Sequence, residues 1–496
     1  MNGTNCAWVL GVFLFSTLVA MDTDADNHLA TEAAAAPVVI QEDPLAKSKG
    51  SWGQPYPDQW GLYAIGRLQP GGRSMPLPSP LVPVTVALID TGVDYGHPDL
   101  PAAKFWMNPR EQMDGRDNDG NGLIDDLIGW NFVDGNNTPW DDHGHGTHIA
   151  GIIAAQSGNG VGVAGVAPNA RLMVLKALDG SGHGSGSDIA SAIRYAVSQG
   201  ALIIQLSLGG EPPGPLERDA IAYAVRENRL VIVAVGNQAE AIGQQGYESL
   251  DNLLLVGAAT PERNRATFSD WGSTLGLLAP GVDVLSLRAR GSDFLRRSGE
   301  AAYPPGSAVV DKHYYRATGS SFAAPFVTGT ATLLLGSIPQ LQAADLKRTL
   351  LQSADDLGPP GPDMNHGYGL LNLAAALNSD PARYIEAYLS HIDWQPTQGM
   401  LLYGTADADQ FLAAQLAFGT GSNPEEWKPL STLSDPIQNG ALMTLDPEYL
   451  PADTLLTLRL TTEHRDGGRR QSFLQLEMPA RDFETSPSDL EEEGGL

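Results

Sequence analysis

Three residues whose types cooperate in covalent catalysis are spread between positions 90 and 321 of this chain. Asp90 lies in the segment IDTG, His145 in HGHGTHIAG and Ser321 in GSSFAAP. A carboxylate can orient an imidazole, and that imidazole can remove the proton from a serine hydroxyl as the hydroxyl attacks a carbonyl carbon. Different folds assemble this set in different chain orders, and the order here is Asp, His, Ser.

The residues around the three segments favour positions where such chemistry takes place. Asp90 follows an apolar run at residues 84–89, so we expect it at the carboxyl end of a strand, where open α/β sheets bind ligands. Ser321 begins an apolar helical stretch, and proline at Pro325 is tolerated in a first helical turn. Asn237 follows another apolar strand, and its amide is suited to donate to an oxyanion.

Two other chemistries use parts of these motifs. Asp-Thr-Gly also occurs in aspartic proteases, but these need two carboxylates that share a proton, and the sequence has no second Asp-Thr-Gly or Asp-Ser-Gly. His143, His145 and His148 imitate an HxHxxH metal site, although Thr147 stands where an aspartate is usual. We therefore predict that His145 is a general base, and that His143 and His148 are structural or exposed.

The elements that must position these residues alternate along the first two thirds of the chain. Short β-branched apolar runs are separated by helical stretches, which predicts a parallel sheet covered on both faces. Beyond residue 399 the pattern changes to short alternating strands broken by Gly, Pro and Asp. The predicted fold class is α/β, a three-layer α/β/α domain with a mainly parallel central sheet, followed by a C-terminal all-β sandwich.

Composition and local patterning predict the organisation of the rest. The net charge of −28 argues against nucleic acid as a partner, and the apolar run at 6–20, with the single cysteine Cys6, is typical of a signal peptide rather than a membrane span. We expect a secreted protein, with no disulfide and no stable membrane span in its mature form. The predicted segments are a signal peptide at 1–20, a leader or short propeptide at 21–55, a catalytic domain at 56–378, a linker at 379–398, a β-sandwich at 399–480 and an acidic disordered tail at 481–496.

Taken together, the motifs resemble those of the subtilisin-like serine proteases, the subtilase or peptidase S8 family. The resemblance implies that Asp90, His145 and Ser321 form the triad and that Asn237 stabilises the oxyanion. It also implies a substrate cleft, with one wall at Ser207, Leu208 and Gly209, the opposite wall at Ala234 and Gly236, and an edge strand at Gly180, Ser181 and Gly182 that pairs with the substrate. Gln205 and Leu206 depart from the usual Asn-Met, and Ser320 replaces a threonine.

Calcium is the predicted cofactor. The segment DNDGNGLIDD at residues 117–126 places oxygen atoms at alternate positions, as in the first half of an EF-hand loop, although Ile128 stands where that loop has a closing glutamate. The expected ligands there are Asp117, Asp119, Asn121, Leu123, Asp125 and Asp126. The family resemblance implies a second site, formed by Asp99, Asn159 and the carbonyl groups of Val161 and Val163.

The sequence thus predicts a secreted, calcium-stabilised serine endopeptidase that acts as a monomer on protein or peptide substrates, with an apolar residue preferred before the cleaved bond. Two alternatives remain at this point. One is a dedicated processing protease with narrow specificity. The other is an inactive protease-like protein that binds a surface. The C-terminal segment resembles fibronectin-type-III or immunoglobulin-like modules, with a spacer or stabilising role as the default.

Overall fold

A computed structural model describes residues 42–207, 213–242, 252–292, 308–395 and 399–479. The predicted signal peptide and acidic tail, most of the predicted leader, and Leu208 and Gly209 lie outside these described residues. Within the described ranges no helix is long and apolar enough to cross a membrane.

The central element is a seven-stranded parallel sheet. A small ribbon of β1 (Leu68–Gln69) and β2 (Arg73–Ser74) precedes it. The strands of the large sheet are β3 (Val84–Asp90), β4 (Gly129–Asn131), β5 (Ala170–Lys176), β6 (Ile203–Leu206), β7 (Leu230–Ala234), β8 (Leu253–Ala259) and β9 (Leu275–Pro280). They are ordered β4-β5-β3-β6-β7-β8-β9. Strands such as β8 are buried along their whole length, as expected for a sheet covered on both faces.

Helices cover both faces of this sheet. In the described ranges they are α1 (Pro44–Lys47), α2 (Trp60–Ala64), α3 (His145–Ala154), α4 (Gly186–Ser198), α5 (Pro215–Arg226), α6 (Ser320–Ser337), α7 (Ala343–Gln352) and α8 (Leu373–Asn378), with 3₁₀ turns at Ala102–Lys104 and Pro447–Tyr449. Val86 and Leu88 share one core with α3 and α6, whereas Ala87 and Ile89 share the other with α4 and α5. Because side chains alternate across a strand, β3 contributes to both cores, and the predicted three-layer class is confirmed.

Small antiparallel sheets complete the molecule. Strands β10 (Val284–Leu287), β11 (Val309–Val310) and β12 (Tyr314–Ala317) pair in the order β10-β12-β11 beside α3. The C-terminal part has β13 (Ile385–Gln395), β14 (Gly399–Ala408), β15 (Phe411–Thr420), β16 (Lys428–Leu433), β17 (Ile437–Leu445), β18 (Thr454–His464) and β19 (Arg469–Met478). They form two antiparallel sheets, β13-β14-β17 and β16-β15-β18-β19, around a separate apolar core, which is consistent with the predicted all-β domain.

Two boundaries differ from the sequence prediction. Strand β13 occupies most of the predicted linker, because Ala387 and Leu389 alternate into the β-sandwich core. Ordered structure also begins before residue 56, since α1 lies within the predicted leader and the Trp52 indole donates to Asp283 at 2.9 Å. All described residues belong to one compact unit, Ile40–Leu496.

Candidate active site

The carboxyl ends of three neighbouring strands bring the motif residues to one edge of the sheet. Asp90 is the last residue of β3, Ser207 directly follows β6, and Asn237 lies three residues beyond the end of β7. Strands β3, β6 and β7 are adjacent in the sheet. His145 is the first residue of α3, and Ser321 is the second of α6.

Asp90 and His145 form a direct buried pair. His145 Nδ1 lies 2.8 Å and 3.0 Å from the two carboxylate oxygens of Asp90, whose side chain is fully buried. The approach requires small residues, because a Cβ on Gly146 would lie 2.1 Å from the carbonyl oxygen of Gly92. A carboxylate on Nδ1 holds the proton there, which leaves Nε2 as the basic nitrogen of the ring.

Ser321 lies at the start of α6. Its hydroxyl donates to the carbonyl of Ser207 at 3.1 Å, and the Ser207 hydroxyl donates back to the carbonyl of Ser321 at 3.0 Å. The ring of Phe322, the next residue, is centred 5.3 Å from the His145 ring and 4.6 Å from that of His148. The helix start that carries the hydroxyl is therefore packed directly against the imidazole.

A buried chain of hydrogen bonds leads from the middle of α6 to Ser321. The Thr328 hydroxyl donates to Gln205 Oε1, and Gln205 Nε2 donates to the Ser207 hydroxyl at 2.9 Å. Ser207 then donates to Ser321, as described above. Sequence reasoning noted Gln205 only as a departure from the family pattern, whereas the structure places it at the centre of this chain, fully buried.

Asn237 is oriented by the N-terminus of α6. The backbone N–H of Ser320 donates to Asn237 Oδ1 at 2.8 Å, and the Ser320 hydroxyl accepts from the Gly236 N–H at 3.2 Å. The amide oxygen is thus held, and Nδ2 lies 3.5 Å from the position of a Cβ on Gly319. Asn237 itself is exposed.

A buried lysine ties the end of β3 to its neighbour β5. Lys176 pairs in register with Asp90, and its Nζ donates to the carbonyl groups of Thr91 and Leu178 and to Asp142 at 2.7–2.9 Å. Only 2% of the residue is exposed. Sequence reasoning missed Lys176, and the signal for it was a lysine directly after the apolar residues 172–175 of β5.

The other two histidines of the HxHxxH pattern are buried and neutral. His148 Nε2 donates to the carbonyls of Val284 and Tyr315, and burial lowers the pKa of His148 to about 3. Burial, with a smaller contribution from His145, lowers the pKa of His143 to about 4. Among the described residues, the side chains close enough together to hold a metal ion are Glu111, Asp117 and Asp119. The histidine metal site therefore gains no support.

The predicted cleft residues are placed as follows. Ala234 ends β7, Gly236 follows it, and Ser207 contacts Ser321. Gly180, Ser181 and Gly182 form a turn rather than the predicted edge strand, because the Gly182 N–H donates to the Asp179 carbonyl at 3.0 Å and Gly182 has a φ of +80°. The Asp179 carboxylate accepts from the N–H groups of Ser181 and His183 and stabilises that turn.

The acidic loop at 117–126 contains a cluster of carboxylates that only partly matches the prediction. Ligand oxygens of Glu111, Asp117 and Asp119 lie within 4.8 Å of one another. Glu111 Oε1 accepts from two loop N–H groups, while Oε2 is buried with no hydrogen-bond partner among the described residues. Sequence reasoning missed Glu111 because it precedes the EF-hand-like motif.

Other predicted ligands of this loop face different partners. Asp126 accepts from the Tyr195 hydroxyl at 2.6 Å and from the Asn121 amide at 2.8 Å, and Asp125 accepts from the Gly115 N–H at 3.0 Å. These contacts engage Asp125 and Asp126 in holding the loop, and Leu123 donates its N–H to Asn121. The oxygen atoms that lie close enough together to hold a cation therefore belong to Glu111, Asp117 and Asp119.

The second predicted ion site brings two carboxylates to one loop. Asp99 accepts from the Asn159 amide at 2.8 Å and from the Val163 N–H at 2.9 Å. Asp43 accepts from the N–H of Gly158 at 2.8 Å and from that of Asn159 at 3.1 Å, and Val161 donates to Asn159. Burial, and to a lesser extent the charge of Asp43, raise the pKa of Asp99 to about 6. Asp43 was missed because it lies in the predicted leader.

Comparison with known proteins agrees with this geometry. The model of the subtilase family, Peptidase_S8, matches residues 83–369. Subtilisin DY of Bacillus licheniformis is 33% identical over 59% of this chain and 90% of that protein. Thermitase of Thermoactinomyces vulgaris is 32% identical over 56% of this chain and 82% of that protein. A thermophilic serine proteinase of Bacillus sp. (strain AK1) is 33% identical, and the match spans 59% of its length.

Proposed function

Because the chain belongs to the subtilase family of serine endopeptidases, we propose that Asp90, His145 and Ser321 hydrolyse peptide bonds as a catalytic triad. The observation that carries the proposal is the buried Asp90–His145 pair, packed against the helix start that bears Ser321. Ser321 Oγ attacks the carbonyl carbon while His145 Nε2 takes the hydroxyl proton. Asp90 stays ionised and stabilises the imidazolium.

The rest of the cycle reuses the same groups. The tetrahedral intermediate collapses as His145 gives its proton to the departing amine, which leaves an acyl-enzyme on Ser321. A water molecule then attacks the ester carbonyl, again with His145 as base, and releases the acid product. Asn237 is proposed to donate its NH₂ group to the oxyanion of both intermediates, supported by the positive end of α6.

Substrate choice is proposed to rest on an uncharged pocket beside Ser321. Ala234 and Gly236 offer one wall, and Ser207 contacts the nucleophile from the other side. An uncharged pocket favours an apolar side chain before the cleaved bond, since a charged group would lose its hydration there without a partner. The substrates are accordingly proteins or peptides with such residues.

A peptide-library digest tests this function. Wild-type protein should cleave many sequences with an apolar residue before the scissile bond, and Ser321→Ala should cleave none. Cleavage at a single narrow motif would instead indicate a dedicated processing protease. No cleavage by folded wild-type protein with calcium present would favour the inactive surface-binding protein.

Calcium is proposed to rigidify the two acidic loops. The donors fit a hard cation, because they are carboxylate and carbonyl oxygens, and the orphaned Oε2 of Glu111 lies among them. At the first loop Glu111, Asp117 and Asp119 would hold the ion, and at the second Asp43, Asp99 and Asn159 would do so. The ion would cross-link loop segments that otherwise repel one another.

Chelation tests the ion proposal. EDTA should lower the melting temperature of the full chain, and Asp119→Ala should remove part of that decrease because one site is then already weakened. Asp435→Ala, which removes an exposed carboxylate between β16 and β17 of the β-sandwich, should keep the full decrease. An unchanged melting curve with EDTA would contradict the proposal.

Export and a monomeric state are proposed from the sequence pattern. The apolar run at 6–20 supports removal of a signal peptide, and intact-mass analysis of protein recovered from the medium should find a start after residue 20. Size-exclusion chromatography with light scattering should give one chain per particle.

A further inference from the structure

A large cavity separates the subtilase part from the β-sandwich, at the end of the sheet opposite Asp90. It measures about 1220 Å³, and its walls include the first residues of β8 and β9 and the outward face of β18 and β19. Strands β3, β8 and β9 run parallel in one sheet. The cavity therefore lies at the amino edge, while the catalytic residues occupy the carboxyl edge.

The walls of this cavity are tied together by specific contacts. The Tyr388 hydroxyl of β13 donates to the carbonyl of Ser273 at 2.8 Å, and Arg470 of β19 donates to the carbonyl of Gln352 at 3.1 Å. The Arg470 guanidinium also lies over the Tyr368 ring, 5.5 Å from its centroid. The two parts are thus held at a fixed spacing, and the space between them is a built cavity.

Flat aromatic surfaces dominate the β-sandwich wall. The Arg459 guanidinium lies 4.1 Å from the centroid of the Trp427 ring, and the Phe473 ring lies 5.8 Å from that ring. Tyr403 stacks on His391 at 4.9 Å with an interplanar angle of 4°. These contacts hold the rings in place, so a ligand meets preset stacking faces.

Uncharged polar side chains surround those rings. The same wall offers the hydroxyl and amide groups of Ser422, Asn423, Asn439, Thr457 and Gln475. Among the described residues of the lining, the charged side chains are Lys347, Asp363 and Arg459.

The lining chemistry selects one class of ligand. The volume exceeds the roughly 300–1,000 Å³ of sites for ordinary small molecules, which indicates an oligomeric ligand. Aromatic faces pack against the C–H faces of sugar rings, and sugar hydroxyls act both as donors and as acceptors for side-chain amides and hydroxyls. The scarcity of charge, in a chain with a net charge of −28, suits a ligand without charge.

An extended peptide fits this cavity less well. Peptides that add to a sheet need a free strand edge, yet the cavity exposes the faces of β18 and β19. The edge of β19 is also covered, because Leu389 of β13 donates to the Ser472 hydroxyl at 3.0 Å and the backbone of Gly361 packs against the Gln471 carbonyl.

We propose that this cavity binds an uncharged oligosaccharide segment and so anchors the enzyme to a polysaccharide surface. The ligand stacks on Trp427 and Phe473, with the amides of Asn423 and Gln475 bonded to its hydroxyls. The cavity lies at the amino edge of the sheet, opposite the carboxyl edge that carries Ser321. An enzyme tethered there keeps its cleft open to protein substrates.

Retention on insoluble polysaccharides tests the proposal. Full-chain Ser321→Ala protein, which cannot digest itself, is incubated with cellulose, chitin, xylan and starch granules, and depletion from solution gives an apparent Kd. Retention is expected on at least one of these, and the matching soluble pentasaccharide should compete. Trp427→Ala in that background should raise the apparent Kd roughly tenfold or more, because it removes the central anchor.

Matched variants keep the test decisive. Trp394→Ala removes an exposed tryptophan of β13 outside the cavity lining and should leave retention unchanged. Gln475→Ala is a milder cavity variant for the case that Trp427→Ala fails to fold, and it should also weaken retention. No retention on any polysaccharide, equal retention of the cavity variants and Trp394→Ala, or displacement only by apolar peptides would overturn the proposal.

Discussion

The two ends of the seven-stranded sheet are built by different means. At the carboxyl end Asp90, His145 and Ser321 come from short motifs, and contacts between motifs hold them, Asp90 to His145 and Ser321 to Ser207. At the amino end the cavity is formed where the subtilase part and the β-sandwich face one another, and its lining comes from many separate segments of the chain. The residues proposed to do chemistry are thus recognisable in short motifs, whereas a surface of stacked rings between two parts of the chain depends on how those parts pack together.

This contrast predicts the size of substitution effects at each end. Changes at the carboxyl end should reduce turnover of a small soluble peptide, and changes at the amino end should leave it nearly unaltered. If substitutions at the carboxyl end leave peptide turnover unchanged, this contrast is wrong. If they reduce it by different factors, those factors rank the contacts at that end.

The largest effect is expected at the triad itself. Ser321→Ala and His145→Ala should each lower kcat for peptide hydrolysis by a factor on the order of 10⁶, and the double variant should lose no more, because the residues act as a unit. Steady-state kinetics on a fluorogenic peptide measures this. Losses that multiply in the double variant would mean that the two side chains act independently.

Asn237→Ala should produce the next largest effect. Because the amide is proposed to donate to the oxyanion, kcat should fall by about 10²–10³ while KM changes little. Asn423→Ala removes an amide from the cavity end and serves as the matched control, with kcat retained. A rise in KM at constant kcat for Asn237→Ala would place the amide in substrate binding instead.

His143 should give the catalytic end a pH-dependent stability. Burial holds the pKa of His143 at about 4, whereas an unfolded chain accepts the proton near pH 6.5. The folded state therefore loses stability as pH falls from about 6.5 to about 4, by on the order of 2–3 kcal/mol. Urea unfolding of wild type and His143→Asn at several pH values measures it, and the variant should show a shallower decline. Identical slopes would contradict the assignment.

Gln205→Met tests the buried hydrogen-bond chain and carries the smallest expected effect. The substitution keeps the volume but removes the bonds to Thr328 and Ser207. The free energy of unfolding should fall by about 1–3 kcal/mol, and kcat should fall up to about tenfold with KM unchanged. Assays well below the melting temperature separate these effects. A lower melting temperature with unchanged kcat would reduce Gln205 to a packing role.

The sequence predicted the catalytic edge because its signals are local. An apolar run followed by Asp90 predicts a strand end, and the motif words around His145 and Ser321 led to the subtilase family, which the family match confirms. The predicted parallel sheet is confirmed for the same reason, since buried parallel strands read as continuous apolar runs.

Apart from one local turn, the features that escaped prediction depend on contacts between distant segments. Glu111 and Asp43 join acidic loops from outside any recognisable motif. The turn at Gly180–Gly182 is set by the side chain of Asp179, and a Gly/Ser run by itself does not distinguish a turn from a strand. The cavity was not predicted, because no sequence pattern indicates how the subtilase part and the β-sandwich pack against each other.

Labelling with a fluorophosphonate probe tests the central claim most directly. The probe reacts with a serine activated by a neighbouring base, so wild-type protein should gain one adduct, and peptide mass analysis should place it on Ser321. Ser321→Ala should remain unlabelled, and His145→Ala should react far more slowly. Folded, calcium-loaded protein that takes up no label, or takes it up at another serine, would contradict the account.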